Sequence, residues 1–113
     1  VFPASELAVA PEPALKQVRQ ACKKARRVFV EVDCDVFDPA FFPAVNQPVP
    51  FGLAPAFVLR LLQAVGPGKL RGLFLSEFEP ARDQGDRSLE TLMWLLEYLL
   101  LELYEQPQGN RKM

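Results

Sequence analysis

Three carboxylates stand out for where they fall. Asp33 and Asp35 flank a single cysteine at the end of the apolar run Val28-Phe29-Val30-Glu31-Val32, and Glu77 lies near the end of a second run, Leu70 to Phe78. β-Branched and aromatic residues suit a pleated, half-buried surface, so both runs read as strands, over 27–33 and 70–78. Residues two apart on an extended chain point to the same side. The spacing therefore predicts that Asp33 and Asp35 project together. Like charges held side by side repel, and burying them is costly unless something neutralises them. A divalent cation is the simplest neutraliser, and carboxylate oxygens suit Mg, Ca and Mn. Glu77 offers a related chemistry, since a carboxylate accepts two parallel N–H bonds from a planar cation.

The elements that must position these groups follow from the pattern around them. Residues 1–13, with prolines at 3, 11 and 13, read as a linker or a frayed strand end. Ala14 to Lys24 carries Leu15, Val18 and Cys22 at helical spacing, with Pro13 placed where a first helical turn tolerates it. After the first strand comes a loop of about fifteen residues, long enough to suggest function, holding Pro39, Pro43, Pro48 and Pro50. Gly52-Leu53-Ala54-Pro55 reads as a turn into a helix whose stripe is Phe57, Val58, Leu61, Leu62 and Val65, stopped by Gly66-Pro67-Gly68. Past the second strand, 80–87 reads as a charged loop and Ser88 as the N-cap of a helix over 89–104, apolar on most of its circumference and so expecting burial on more than one side. The tail 106–113 is polar and reads as disordered.

Helix, strand, helix, strand, helix implies βα units with parallel strands and right-handed crossovers. Ligands in such sheets gather beyond the carboxyl ends of the strands, where Asp33, Asp35 and Glu77 fall. The remaining polar candidates read as structural. Asp38 precedes Pro39 and suits an Asx turn, while Asp83 and Asp86 suit loop and pre-cap positions. Cys34 alternates away from the aspartates and reads as a small core residue, and Trp94, at helical spacing, reads as core. Lys23, Lys24, Arg26 and Arg27 form either an anion patch or, the preferred reading, a solvated helix C-terminus whose dipole they complement.

At 113 residues the chain is one domain or a fragment of one. A net charge of −1 gives no electrostatic case for nucleic acid or an anionic membrane, and no apolar run approaches a membrane span. Two cysteines make no disulfide framework, so reduced thiols and a cytoplasmic location are expected. The count of zero histidines is the most pointed, because transition-metal enzymes usually recruit imidazole.

The stretch 29–53 resembles the second metal signature of the ureohydrolases, the group of arginase, agmatinase and formimidoylglutamase. That signature is an apolar strand, Asp-x-Asp, then Pro, Pro with a small residue, and Gly at fixed intervals, met here by Asp33-Cys34-Asp35, Pro39, Pro43-Ala44 and Gly52. The resemblance covers the family's C-terminal portion, from about residue 14 to about residue 104. It implies a three-layer α/β/α fold with a mostly parallel sheet, and a binuclear manganese centre in which Asp33 bridges both ions and Asp35 chelates one. It also implies that Glu77 binds the amidine or guanidine of a small cationic substrate. The other ligands, two of them histidines, would then lie in a missing N-terminal part. The whole would be a homo-oligomeric hydrolase of linear C–N bonds.

One departure concerns the family's Glu-x-Asn-Pro context, where Glu79 stands in place of Asn before Pro80. This leaves Glu77 in place and puts the hydrogen bonding around it in question. Pro80-Ala81-Arg82-Asp83 with Arg87-Ser88, and the Pro48-to-Leu53 stretch, are more similar to formimidoylglutamases than to arginases. The alternative is a non-catalytic ureohydrolase-like module that has lost its metal centre. An Asp-x-Asp phosphotransferase is disfavoured, because Val36-Phe37-Asp38-Pro39 lacks the Gly-Thr turn those enzymes place after the pair.

Overall fold

The computed structural model describes residues 2–66 and 68–104, so the expected tail at 106–113 and Pro67 of the helix-stop lie outside the described residues. The elements in chain order are α1 (Ala4–Val9), α2 (Glu12–Lys23), β1 (Val28–Asp33), a 3-10 turn at Cys34–Val36, α3 (Pro55–Val65), β2 (Leu70–Ser76), a 3-10 turn at Pro80–Arg82, and α4 (Arg87–Tyr104).

β1 and β2 pair in parallel, from Val28 against Leu70 to Asp33 against Ser76, with one irregularity between Val28 and Phe29. A parallel pair needs a long crossover, and the proline-rich loop and α3 supply it. α3 starts on Pro55, where a missing N–H costs nothing. It buries Val58, Leu62 and Val65 and ends at Gly66 with φ 102°, a conformation that favours glycine. α2 packs beside α3 and buries Ala14, Leu15 and Cys22. The Lys69 Nζ donates to the carbonyls of Cys22 and Lys23, closing the C-terminus of α2 from the turn that precedes β2.

The proline-rich loop is part of the core. Phe37, Phe42, Ala44 and Val45 are buried, and the Phe37 and Phe42 rings stack at 5.2 Å. The two ends of the loop meet, with the Asp38 N–H donating to Leu53 O at 2.9 Å and the Leu53 N–H to Val36 O at 2.8 Å. Gly52 lies in this closure. A Cβ there would stand 2.5 Å from the Asp38 nitrogen and 2.6 Å from the Phe37 carbonyl carbon, so only glycine fits.

Several expectations are corrected. Residues 4–9 form a helix where a linker or strand end was expected; the Glu6 and Leu7 N–H groups bond to Pro3 O and start the turn. The first strand begins at Val28 and stops at Asp33, so Asp35 lies in a 3-10 turn and not on an extended chain. The second strand stops at Ser76, because Glu77 takes φ 67° and breaks the ladder. Ser88 is no N-cap, since α4 begins at Arg87 and Ser88 is fully buried inside its first turn.

Trp94 is not core. It is 68 % exposed, because α4 buries one face only, through Ser88, Leu92 and Leu95, with Tyr98 and Leu99 half-buried. Met93, Trp94, Leu100 and Leu101 on α4, and Phe29 with Phe74 on the sheet, leave apolar surface open.

Candidate functional site

The site is built where the two strands end side by side. Asp33 is the last residue of β1 and pairs with Ser76, the last of β2, so Glu77 follows directly beside it. Cys34 then turns inward. It is fully buried and bonds to the Ser76 backbone. That inward turn brings Asp35 back beside Asp33, near enough for the Asp33 carboxylate to act on it. The two carboxylates therefore meet as expected, through a 3-10 turn and not through strand alternation.

The electrostatics identify a single negative locus. Burial, the neighbouring Asp33 carboxylate and the charge of Glu77 hold the Asp35 carboxyl above its ordinary value, partly offset by its own backbone N–H. Burial and the charges of Asp33, Asp35 and Glu77 push the Cys34 thiol up to about 11. No salt bridge among the described residues involves Asp33, Asp35 or Glu77.

Glu77 is held in a left-handed conformation at φ 67°, which costs a side-chain-bearing residue about 1–2 kcal/mol. The turn it makes sends the Glu79 N–H to Ala44 O at 2.8 Å, joining the segment after β2 to the proline-rich loop. Three further bonds complete that joint. The Ala44 N–H donates to Ser88 Oγ at 3.1 Å, Arg87 Nη1 donates to Ala40 O at 3.0 Å, and Arg82 Nη2 donates to Asn46 Oδ1 at 3.1 Å. Glu79, which departs from the family's Asn, accepts from Arg82 Nε at 2.9 Å. Its carboxylate thus steadies the arginine that reaches Asn46.

Asp38 behaves as the sequence suggests, its Oδ1 accepting from the Ala40 N–H at 2.9 Å. Asp83 does more than occupy a loop. Its oxygens accept from the N–H groups of Gln84, Ser88 and Leu89 at 2.9–3.0 Å. Burial alone would raise the Asp83 carboxyl, but these bonds and one from the Ser88 hydroxyl outweigh it and hold the carboxyl below its ordinary value. Sequence reasoning misses Ser88, Asn46 and Arg87 as site supports. Only the Glu79–Arg82 pair, three residues apart, carries a local signal.

The donor chemistry fits a hard divalent cation, since Asp33 and Asp35 present adjacent oxygens in a locus that lacks a positive charge. The donor number falls short. Among the described residues no three His, Cys, Asp or Glu side chains form a group able to hold a metal ion. Asp33 and Asp35 therefore do not by themselves complete a metal site among the described residues.

Comparison with known proteins finds relatives of both the sequence and the fold. The sequence model described as the arginase family matches residues 1–101. The chain is 47 % identical over 60 residues to the proclavaminate amidinohydrolase of Streptomyces clavuligerus, covering 53 % of this chain and 19 % of that protein. It is 33 % identical over 79 residues to a formimidoylglutamase of Halobacterium salinarum, covering 68 % of this chain and 26 % of that protein. Among solved structures, a hypothetical agmatinase from Burkholderia thailandensis superposes with a TM-score of 0.75 at 26 % identity, over 95 % of this chain and 34 % of that one. The chain thus spans 19 % and 26 % of the length of these two curated relatives, and about a third of the solved structure.

Proposed function

The chain belongs to the arginase family, and from that premise we propose that it is the C-terminal part of a binuclear-manganese hydrolase cleaving a C–N bond of a linear amidine or guanidine. Formimidoylglutamase, agmatinase and arginase types all fall within this reading. The observation that carries it is the meeting of Asp33, Asp35 and Glu77 at the adjacent carboxyl ends of two parallel strands.

In this reading Asp33 and Asp35 would hold the ions, together with ligands from outside this chain. Bound manganese supplies Lewis-acid polarisation and an activated water nucleophile. The chain's own residues do the rest. Glu77 accepts two N–H bonds from the substrate's planar cation, which fixes the amidine carbon over the aspartates and keeps its charge paired as the carbon becomes tetrahedral. The strained backbone at Glu77 is the cost of aiming that carboxylate out of the strand end. The bonds from Ser88, Arg87 and Arg82 hold the proline-rich loop against the same segment, so the metal-binding turn and the substrate carboxylate move as one body. Cys34 packs in the core, fully buried between the two aspartates.

The test is turnover by the full-length protein of formimidoylglutamate, agmatine and arginine, before and after chelation and manganese readdition. The expected result is hydrolysis of one of the three that chelation abolishes and manganese restores. Failure on all three, together with no uptake of manganese by the full-length protein, would favour the non-catalytic module.

A further inference from the structure

At the opposite end of the sheet from the carboxylates, Lys24, Arg26, Arg27 and Arg71 alone line a cleft of about 750 Å³. We propose that this cleft binds a compact polyanion carrying two or more phosphoryl groups. It collects cations from three places: the C-terminus of α2, the turn into β1, and the start of β2. The sequence shows the run at 23–27 but not Arg71, which only the parallel pairing brings beside it.

The usual account of such a run is that its cations serve the C-terminus of α2. That role is already filled, because Lys69 Nζ donates to the Cys22 and Lys23 carbonyls at 2.6 and 3.2 Å. No acidic side chain lines the cleft, and among the described residues the salt bridges use only Arg19, Arg60 and Arg82. Four cations thus face one space without a counter-charge. Arg71 is fixed by Nη1 bonds to Gly68 O at 2.7 Å and Leu70 O at 3.3 Å, leaving its Nε and Nη2 donors for a ligand.

Three of the four are arginines, whose planar forks match phosphoryl oxygens in pairs. No aromatic or apolar side chain lines the cleft, so phosphoryl oxygens are the groups its donors suit best. A net charge of −1 argues against a nucleic-acid polymer. The length of β1, roughly 20 Å at ~3.3 Å per residue, separates the cleft from Asp33. Binding there is therefore independent of the metal-binding end.

The experiment is calorimetric titration of metal-free full-length protein with pyrophosphate, tripolyphosphate and ATP at low and high salt. One saturable site is expected, weakened by salt and weakened about ten-fold or more by Arg71→Gln. Because Arg71 also holds two carbonyls, Arg27→Gln is the second variant and should weaken binding likewise, with the circular dichroism spectrum unchanged. Equal affinities for tripolyphosphate and ATP would assign the ligand as a phosphate chain alone, and tighter ATP as the tail of a nucleotide. Either result supports the cleft. Absence of saturable binding at millimolar pyrophosphate would overturn it, as would affinity unchanged in both variants or tighter binding of an oligonucleotide than of tripolyphosphate.

Discussion

The Ser88 hydroxyl accepts a hydrogen bond from the Ala44 backbone N–H at 3.1 Å, across 44 positions of chain, and both residues are fully buried. The same hydroxyl donates to the Asp83 carboxylate. One side chain thus ties the proline-rich loop after the Asp33–Asp35 pair to the first turn of α4.

Ser88→Ala removes that tie and leaves the Ala44 N–H buried without a partner. The expected loss of stability is about 1–3 kcal/mol, read as a shift in the urea midpoint of the full-length protein. Ser88→Cys, which keeps a weak donor and acceptor, should recover part of it. A Ser88→Ala midpoint equal to the parent would mean that the bonds from Glu79, Arg87 and Arg82 suffice to hold the loop.

Gly52→Ala tests the other closure of the same loop. The added Cβ meets backbone atoms at 2.5–2.8 Å, and backbone cannot swing aside as a side chain can. The contact between Phe37 and Leu53 must open. Overpacking of this kind costs about 1–3 kcal/mol or more, and thermal unfolding of the variant measures it. Gly85→Ala is the contrast, because no atom stands within 4 Å of its Cβ and only the φ of 58° opposes it.

These residues also show what the sequence could and could not reveal. β1 and the stripe of α3 are local, written in a β-branched and aromatic run and in helical spacing, and they were legible; the close approach that requires glycine at 52 comes from Phe37 and Asp38 and was not. The meeting of Asp33 and Asp35 was legible, but its mechanism was not: alternation predicts a shared strand face, while burial of Cys34 draws the chain into a 3-10 turn. Ser88 was misread for a related reason. A serine before an apolar run looks like an N-cap, and nothing local says that Asp83, five residues earlier, already takes its N–H. Trp94 was misread because helical spacing reports which residues share a face and not which faces find a neighbour. The long apolar circumference of α4 outruns the two strands present to cover it.

Asp83 supplies the pH dependence. Its folded carboxyl lies below the ordinary value through bonds that outweigh burial. A depressed carboxylate contributes stability that is fully present above its unfolded pKa of about 3.9 and is lost as pH falls through the lower folded value. Asp83→Ala should therefore destabilise at neutral pH, by about 0.5–2 kcal/mol for a lost helix-start acceptor. The deficit should shrink as the parent is acidified below about pH 4. Denaturant midpoints of parent and variant across pH 2.5–7 (roughly the carboxylate range) check this; a constant gap would place the effect elsewhere.

The final prediction separates the three carboxylates of the proposed hydrolase. The ureohydrolase resemblance implies that Asp33 bridges both ions, so Asp33→Asn takes charge from each at once and should lower metal content at both positions. It implies that Asp35 chelates one, so Asp35→Asn should release that ion preferentially. Losing a charge here also relieves the repulsion that Asp33, Asp35 and Glu77 exert on one another, so neither variant should unfold the metal-free protein. Glu77 is proposed to touch substrate and not metal. Glu77→Gln should keep both ions, since a neutral amide removes no ligand, yet it cannot pair with the amidinium charge. Loss of two charge-assisted bonds costs about 2–4 kcal/mol, a roughly thirty- to thousand-fold fall in kcat/KM. Elemental analysis beside turnover, on the full-length protein and all three variants, distinguishes these roles. Full activity in Asp33→Asn, or metal loss in Glu77→Gln equal to that in Asp33→Asn, would show that the carboxylates are wrongly assigned.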